Sequence, residues 1–170
     1  KSGMQKEAIE SFKQAIKINP DYRDAHYNLD VAYSKSGMNY IKSGMQKEAI
    51  ESFKQAVKIN PDDADAHYNL GAVYSKSGKY EEAIESYKQA IRIDPDDAKA
   101  HYNLGNAYFK SGKYKEAIES YKQAIRINPD YANAHYNLDV AYGKSGMNKE
   151  AIEAVPVQAL TGLVAMFLPV

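Results

Sequence analysis

Four histidines are the side chains of this chain best suited to proton transfer or metal binding. Each opens the same string, His-Tyr-Asn-Leu, so we expect each to lie on its own helix pair. Neighbouring helices pack about 8 to 10 Å apart, whereas zinc needs its ligand atoms at about 2 Å. The histidines therefore cannot share one metal ion, and we expect them to pack between the helices of each pair. They are His26, His67, His101 and His135.

No other set of residues has the spacing of a catalytic site. The chain has no cysteine, which excludes a disulfide framework and a thiolate metal site. Its Ser-Gly pairs fit helix-ending turns and lack the glycine spacing of a loop that cradles phosphates. We therefore predict that the chain is not an enzyme and uses no metal or cofactor.

The 15 tyrosines could stack on single-stranded nucleic acid, but that mode also needs a positively charged groove. The 22 lysines and arginines are balanced by 22 aspartates and glutamates, so no basic field gathers nucleic acid or an anionic membrane. We expect most of the tyrosines to be core residues instead. These are Tyr33, Tyr74, Tyr80, Tyr87, Tyr108, Tyr114, Tyr121 and Tyr142.

The elements that position these side chains follow from the repeat, which residues 98–131 show best. From Ala100, apolar residues fall at i, i+4, i+7 and i+8, and a similar stripe begins at Tyr114. Gly112 fits the end of the first helix, and Pro129 stops the second. Each unit is thus predicted to form a helical hairpin.

The unit resembles the tetratricopeptide repeat, in a consensus-like tandem array. The matching positions are His101, Leu104-Gly105, Tyr108, Ala117, Tyr121 and Pro129, with His where the family usually has Trp. The resemblance implies an all-α fold, a right-handed superhelical solenoid of antiparallel helix pairs. It also implies a scaffold whose concave face binds an extended or helical segment of a partner protein.

We predict that the array covers residues 1–154. It consists of a half repeat (1–22), three repeats (23–63, 64–97 and 98–131) and a partial repeat (132–154). The repeat at 23–63 carries seven extra residues within 35–46, about two helical turns. A helix extension or a local bulge is expected there rather than a break between domains.

Two aspartates depart from the family pattern, because they stand where the other repeats have glycine. Asp30 and Asp139 correspond to Gly71 and Gly105, and burying a carboxylate costs free energy unless it is paired. We expect these aspartates to reach solvent or a nearby Tyr hydroxyl. The alternative is a polar contact in the groove.

The first helices carry a row of asparagines and a row of tyrosines. An asparagine amide has donors and an acceptor, so a row of them can bind the main chain of an extended peptide. The row resembles the asparagine ladder of tetratricopeptide arrays in O-GlcNAc transferases; the alternative is that Asn merely tolerates a solvated face. The predicted peptide-binding residues are Asn28, Asn69, Asn103, Asn137, Tyr27, Tyr68, Tyr102, Tyr136, Asn106, Lys99, Lys76 and Lys110, with Val31, Ala72 and Val140 also lining the face.

A second mode of the family, the clamp for acidic C-termini of heat-shock chaperones, is matched only in part. Its asparagine position is filled, but its first lysine position holds tyrosine, as at Tyr68. Basic residues such as Lys35 and Lys144 lie in the last turns of their helices, where the helix dipole alone favours a cation. We do not expect this clamp.

Residues 155–170 form an uncharged apolar tail, which is too short for a membrane span. We expect a short helix at about 159–168. It could cover the last hairpin, dock into a groove of its own or another chain, or have no evolved purpose.

The absence of cysteine favours the cytoplasm. No secretory leader opens the chain and Lys1 is not an initiator, so we expect an internal start. Two alternative roles stay open. One is self-assembly through the unpaired first helix and the apolar tail, and the other is the recruiting arm of a larger enzyme.

Overall fold

The computed structural model describes residues 2–146 and, over that range, consists of α-helices and turns. The eight helices are α1 Ser2–Ile18, α2 Arg23–Lys42, α3 Gln46–Ile59, α4 Ala64–Lys76, α5 Tyr80–Ile93, α6 Ala98–Lys110, α7 Tyr114–Ile127 and α8 Ala132–Ser145. None of them is long and apolar enough to cross a membrane. The predictions for residues 147–170, including the apolar tail, lie outside the described residues.

The turns form where the sequence places glycine and capping side chains. Gly78 and Gly112 adopt positive φ angles of 74° and 78° just after α4 and α6, a conformation that favours glycine. Asp63 caps α4 by accepting a hydrogen bond of 2.9 Å from the backbone N–H of Ala66. These glycines and capping side chains therefore determine where helices such as α4 and α6 begin and end.

The described residues fall into two compact units, one ending at residue 95 and the other beginning at residue 96. In the first unit each of the helices α1 to α4 packs against the next one along the chain. In the second unit α7 packs against both α6 and α8. The predicted all-α helical repeat is confirmed, whereas the predicted repeat boundaries stay a prediction.

Tyrosines and small residues build the core. In the second unit a buried cluster joins α7 to α8 and includes Tyr121, Leu138 and Tyr142. Of the eight tyrosines predicted for the core, four are buried and four are half-buried. The buried ones are Tyr74, Tyr87, Tyr121 and Tyr142.

Glycines let the two helices of a hairpin approach each other closely. A Cβ added to Gly105 would lie 2.6 Å from Cε1 of Tyr121, and one added to Gly71 would lie 2.9 Å from the ring of Tyr87. Real Cβ atoms do not come this close, so the aromatic ring occupies the space that the missing side chain leaves.

We expect Gly105→Ala to lower the free energy of unfolding by about 1 to 3 kcal/mol, because the new methyl group overpacks the ring of Tyr121. Urea unfolding followed by circular dichroism measures this change. Gly143→Ala is the matched control: nothing lies within 4 Å of its added Cβ, so better helix propensity should stabilise α8 by up to about 1 kcal/mol. Equal effects of the two substitutions would contradict the close approach.

The seven extra residues lengthen one helix. Helix α2 has 20 residues against 13 in α4, while α3 has 14, the same number as α5. The expected extension is therefore confined to α2, with no bulge and no break between domains at this point. In sequence, residues 33–39 (YSKSGMN) are followed by a near copy at 40–46 (YIKSGMQ). Helix α2 runs through the first Ser-Gly and ends at the second.

The extension moves the close glycine contact by two turns. A Cβ on Gly37 would lie 2.5 Å from the ring of Phe53, so Gly37 takes the place that Gly71 has in the next repeat. In an antiparallel pair, a residue two turns earlier on α2 faces one two turns later on α3. Asp30 accordingly lies beside Asn60, whose Nδ2 donates to Oδ2 of Asp30 at 3.4 Å.

The expectation that Asp30 reaches solvent or a Tyr hydroxyl is wrong. Asp30 is only 3% exposed, and its Oδ1 has no hydrogen-bond partner in the described part of the chain. Burial, with the nearby carboxylate of Asp63, raises the pKa of Asp30 to about 6. Asp139, in contrast, is exposed as expected.

Candidate binding surface

The histidines have a structural role at the starts of helices. The Nε2 atoms of His26, His67 and His135 lie 2.8, 3.0 and 2.8 Å from the carbonyl oxygens of the prolines six residues earlier. A carbonyl only accepts, so each Nε2 carries the proton. Over residues 2–146, no group of three or more His, Asp or Glu side chains could hold a metal ion.

The first unit contains a cavity of about 660 Å³ between α2 and α4, which we name the α2–α4 groove. Its α2 wall consists of Val31, Ser34, Lys35, Met38, Asn39 and Lys42. The opposite wall consists of Asp63, Asp65, Tyr68 and Asn69, and Gln5 reaches in from α1. Tyr68 and Asn69, two of the predicted peptide-binding residues, thus lie in one concave site.

Met38, Asn39 and Lys42 belong to this wall only because α2 is extended, and they were not predicted. Their signal is present in the sequence, since Val31, Lys35, Met38 and Lys42 follow the spacing i, i+4, i+7 and i+11 of one helix face. That spacing places the four side chains on one face only if the insert is helical. The resulting groove has lysines on one wall and carboxylates on the other.

The asparagines of the first unit have unused hydrogen-bonding capacity. Asn28 is exposed and Asn69 is half-buried, and neither amide bonds to another side chain among the described residues. Tyr68 is fixed beside Asn69 because its ring packs against that of Tyr87, with 5.7 Å between centroids. Tyr27 is 66% exposed and borders a different cavity, of about 500 Å³, with His26.

In the second unit the corresponding amides bind one another. Nδ2 of Asn137 donates to Oδ1 of Asn106 at 2.8 Å and to the hydroxyl of Tyr102 at 3.1 Å. The Tyr121 hydroxyl also donates to Oδ1 of Asn106, at 2.8 Å. Burial raises the pKa of Tyr121 above its usual range, which keeps this donor protonated. Asn103 joins the network by accepting from Nδ2 of Asn106 at 3.4 Å.

The network changes what this unit offers to a ligand. Asn137 uses its amide donors on Asn106 and Tyr102, and its Oδ1 accepts no hydrogen bond from the described residues. Tyr102 is held further by Tyr131, at 4.9 Å between ring centroids. The second unit therefore presents a rigid polar face. Tyr136, at 71% exposure, lies outside it.

The three predicted lysines are not brought together with these residues. Lys99 and Lys110 are exposed near opposite ends of α6, about 16 Å apart along the helix. Lys76 lines a small cavity of about 110 Å³ with Ile41 and Gln46, rather than the α2–α4 groove.

Comparison with protein families gives one clear similarity. A family model described as "TPR repeat" matches the chain at residues 1–37, 38–78, 73–112 and 105–146. No curated protein sequence matches the chain.

Several solved structures are similar to the chain. The crystal structure of MamA is 29% identical with a TM-score of 0.68, and the similarity covers 90% of this chain and 85% of MamA. The second TPR domain of human RPAP3, solved by NMR in complex with an HSP70 peptide, is 27% identical with a TM-score of 0.64, over 65% of this chain and 92% of that domain. A mutant O-GlcNAc transferase of Thermobaculum terrenum is 31% identical with a TM-score of 0.60, over 66% of this chain and 22% of the transferase.

Proposed function

The chain belongs to the tetratricopeptide repeat family, and we propose that it is a protein–protein interaction scaffold that binds a peptide segment of a partner in the α2–α4 groove. The observation that carries this proposal is the groove itself, a cavity of about 660 Å³ lined by Tyr68, Asn69 and two opposed charged walls. The structure of an RPAP3 domain with an HSP70 peptide supports a peptide as the kind of ligand.

Each group in the groove has a role toward a peptide. The unpaired amide of Asn69 can donate to and accept from a peptide main chain, whatever the side chains of the peptide. Val31 and Met38 provide apolar contact area on α2. Lys35 and Lys42 face acidic side chains of the ligand, and the carboxylates on the opposite wall face basic ones.

The second unit, considered by itself, has a polar face of a different kind. Its asparagines and Tyr102 are held in place by one another, so this face binds without first losing side-chain freedom. Oδ1 of Asn137 is the acceptor it offers to a peptide N–H. The clamp for acidic C-termini is not part of the proposal, because Tyr68 stands at its first lysine position.

We propose neither enzymatic activity nor a cofactor for the described residues, since His26, His67 and His135 are hydrogen-bonded to the preceding turns. A protein partner rather than nucleic acid fits the balanced charge of the chain. A cytoplasmic location and self-assembly through the first helix and the tail both stay predictions.

A peptide-display selection on the immobilised chain tests the groove, because it supplies a peptide ligand whatever the natural partner is. For a selected peptide we expect Asn69→Ala to weaken binding about tenfold, since the amide makes bonds to the peptide main chain that alanine cannot replace. Isothermal titration calorimetry gives the two dissociation constants.

The matched control is Gln14→Ala, which removes an exposed amide from α1, outside the groove. We expect the affinity of this variant to equal that of the unchanged chain. If no peptide is enriched, or if Asn69→Ala binds as tightly as the control while its helix content is intact, the groove is not the binding site.

A further inference from the structure

The extension of α2 creates a second cavity, between α1 and the C-terminal half of α2. It has a volume of about 550 Å³ and is lined by Gln5 and Lys6 of α1, by Ser36, Asn39 and Lys42 of α2, and by Ser43 just after α2, among others. We name it the α1–α2 pocket. Asn39, Lys42 and Ser43 lie in the seven-residue insert or its copy, so an ordinary 34-residue repeat does not have this pocket.

The described lining of the pocket is rich in donors. Lys6 and Lys42 supply two ammonium groups, and none of the described residues that line the pocket is acidic. Ser36, Ser43 and Asn39 add hydroxyl and amide donors. A group that accepts several hydrogen bonds and carries negative charge matches such a lining.

Two of the polar side chains are held in position. Nδ2 of Asn39 donates to Oε1 of Gln5 at 3.0 Å, and Nε2 of Gln5 approaches the carbonyl oxygen of Ala32 at 3.5 Å. These contacts tie α1 to the extended part of α2. The pocket is therefore preorganised before any ligand binds.

Ser36 points independently to a ligand. It is only 9% exposed, and its hydroxyl makes no hydrogen bond to the other described residues. In α5 and α7, by comparison, the buried serines Ser86 and Ser120 donate to the carbonyl one turn earlier at 2.9 Å. The fully enclosed unpaired side-chain atoms of the described residues are Asp30 Oδ1 and Ser34 Oγ, so Oγ of Ser36 is not enclosed. Because Ser36 lines the pocket, its unpaired hydroxyl is accessible to a ligand there.

The partial negative charge at the carboxyl end of α2 is smaller than the positive charge of the two lysines. The carboxyl end of α2 lies at Lys42 and carries a partial negative charge equivalent to about half a unit. Lys6 and Lys42 each carry a full positive charge, and no described lining residue carries a negative one, so the lining favours an anion over a cation.

We propose that the α1–α2 pocket binds an oxyanion, a phosphate or a carboxylate, carried on a side chain of a partner peptide. The pocket shares Gln5, Asn39 and Lys42 with the α2–α4 groove, so a peptide in the groove reaches it. The proposal rests on the proposed function only in assigning the oxyanion to a peptide, and its test relies on Lys6, Ser36 and Ser43, which line this pocket and not the groove.

Three short blocked peptides that differ only in one central residue, phosphoserine, glutamate or serine, test the pocket. They are titrated into the isotopically labelled chain, and NMR shifts of the amides of Ser36, Asn39 and Ser43 report binding. We expect saturable binding of the phosphoserine and glutamate peptides, with phosphoserine tighter because of its larger charge, and no binding of the serine peptide. Binding of only one of the two anionic peptides identifies the source of the oxyanion.

Lys6→Gln and Lys42→Gln should each weaken binding of the anionic peptides about tenfold, because each removes a charge-assisted hydrogen bond. Lys54→Gln removes the same charge from an exposed position on α3 outside the pocket and should leave the affinity unchanged. Equal binding of all three peptides, equal loss in all three variants, or no binding at all would overturn the proposal. Lys42 also lines the α2–α4 groove, whereas Lys6 lines only this pocket, so Lys6→Gln is the variant that separates this proposal from the Asn69→Ala result.

Discussion

Asp30→Asn is expected to stabilise the first unit by about 2 to 3 kcal/mol at about pH 8. In the unchanged chain Asp30 is 3% exposed and receives only one long hydrogen bond, of 3.4 Å from Asn60, while its other oxygen has no partner in the described part of the chain. At this pH folding therefore buries an ionised carboxylate beside Asp63. Asparagine has nearly the same shape and carries no charge.

The pH dependence has a definite sign. Burial raises the pKa of Asp30 in the folded chain to about 6, from an ordinary value of 3.8. The folded state thus binds the proton more tightly, and the stability that this proton gives is complete below about pH 4 and is lost as the pH rises through about 6. Asp30→Asn should therefore differ little from the unchanged chain at about pH 4, and the difference should grow to its full size by about pH 7.

Urea unfolding at a series of pH values, followed by far-ultraviolet circular dichroism, measures the difference. Asp62→Asn is the control, since it removes an exposed carboxylate from the same unit and should change the free energy of unfolding by less than about 0.5 kcal/mol. A difference between Asp30→Asn and the unchanged chain that is the same at about pH 4 and pH 8 would show that Asp30 does not titrate in between.

The helical hairpins could be predicted from the sequence because their causes are local. Apolar residues at helical spacing define the buried stripe, as at Ala100 and Leu104, and glycine with positive φ ends the helix, as at Gly112. The same apolar spacing and the same helix-ending glycines recur in the other repeats. This recurrence strengthens the prediction for each single helix.

The path of the insert could not be predicted, because seven residues fit an extended helix and a loop equally well by length. What selects the extended helix is a contact between residues far apart in sequence, the ring of Phe53 against Gly37. The same packing buries Asp30 and brings Lys42 into the groove. Neither consequence is visible from the periodicity of α2 alone.

The candidate site was predicted in part for a similar reason. The asparagine row follows from the repeat, and Asn69 does line a concave site. In the second unit, however, the amide of Asn137 already donates a hydrogen bond to Asn106, which is 31 residues away in sequence. Whether an amide is available to a ligand depends on the neighbouring helix, which the spacing on one helix does not show.

Deletion of residues 38–44 is expected to lower the free energy of unfolding of the first unit by more than about 3 kcal/mol. The shortened sequence has the 34-residue length of the other repeats, with Gly37 at the turn, and this places Asp30 where Gly71 stands in the next repeat. A side chain there overlaps the ring of the facing aromatic residue, as the added Cβ on Gly71 shows. The carboxylate also loses its contact with Asn60.

The deletion is combined with the substitution Asp30→Gly. This substitution should restore the stability of the shortened chain, because it restores the ordinary glycine contact with Phe53. In the full-length chain the same substitution has opposing effects, because it removes a buried carboxylate but puts glycine inside α2 at a cost of about 1 kcal/mol. Its stabilisation should therefore be larger by about 2 kcal/mol or more in the shortened chain, a coupling that a double-mutant cycle of urea unfolding measures. If Asp30→Gly changes the stability equally in both chains, the insert and Asp30 are independent, and the insert does not set the position of the close contact.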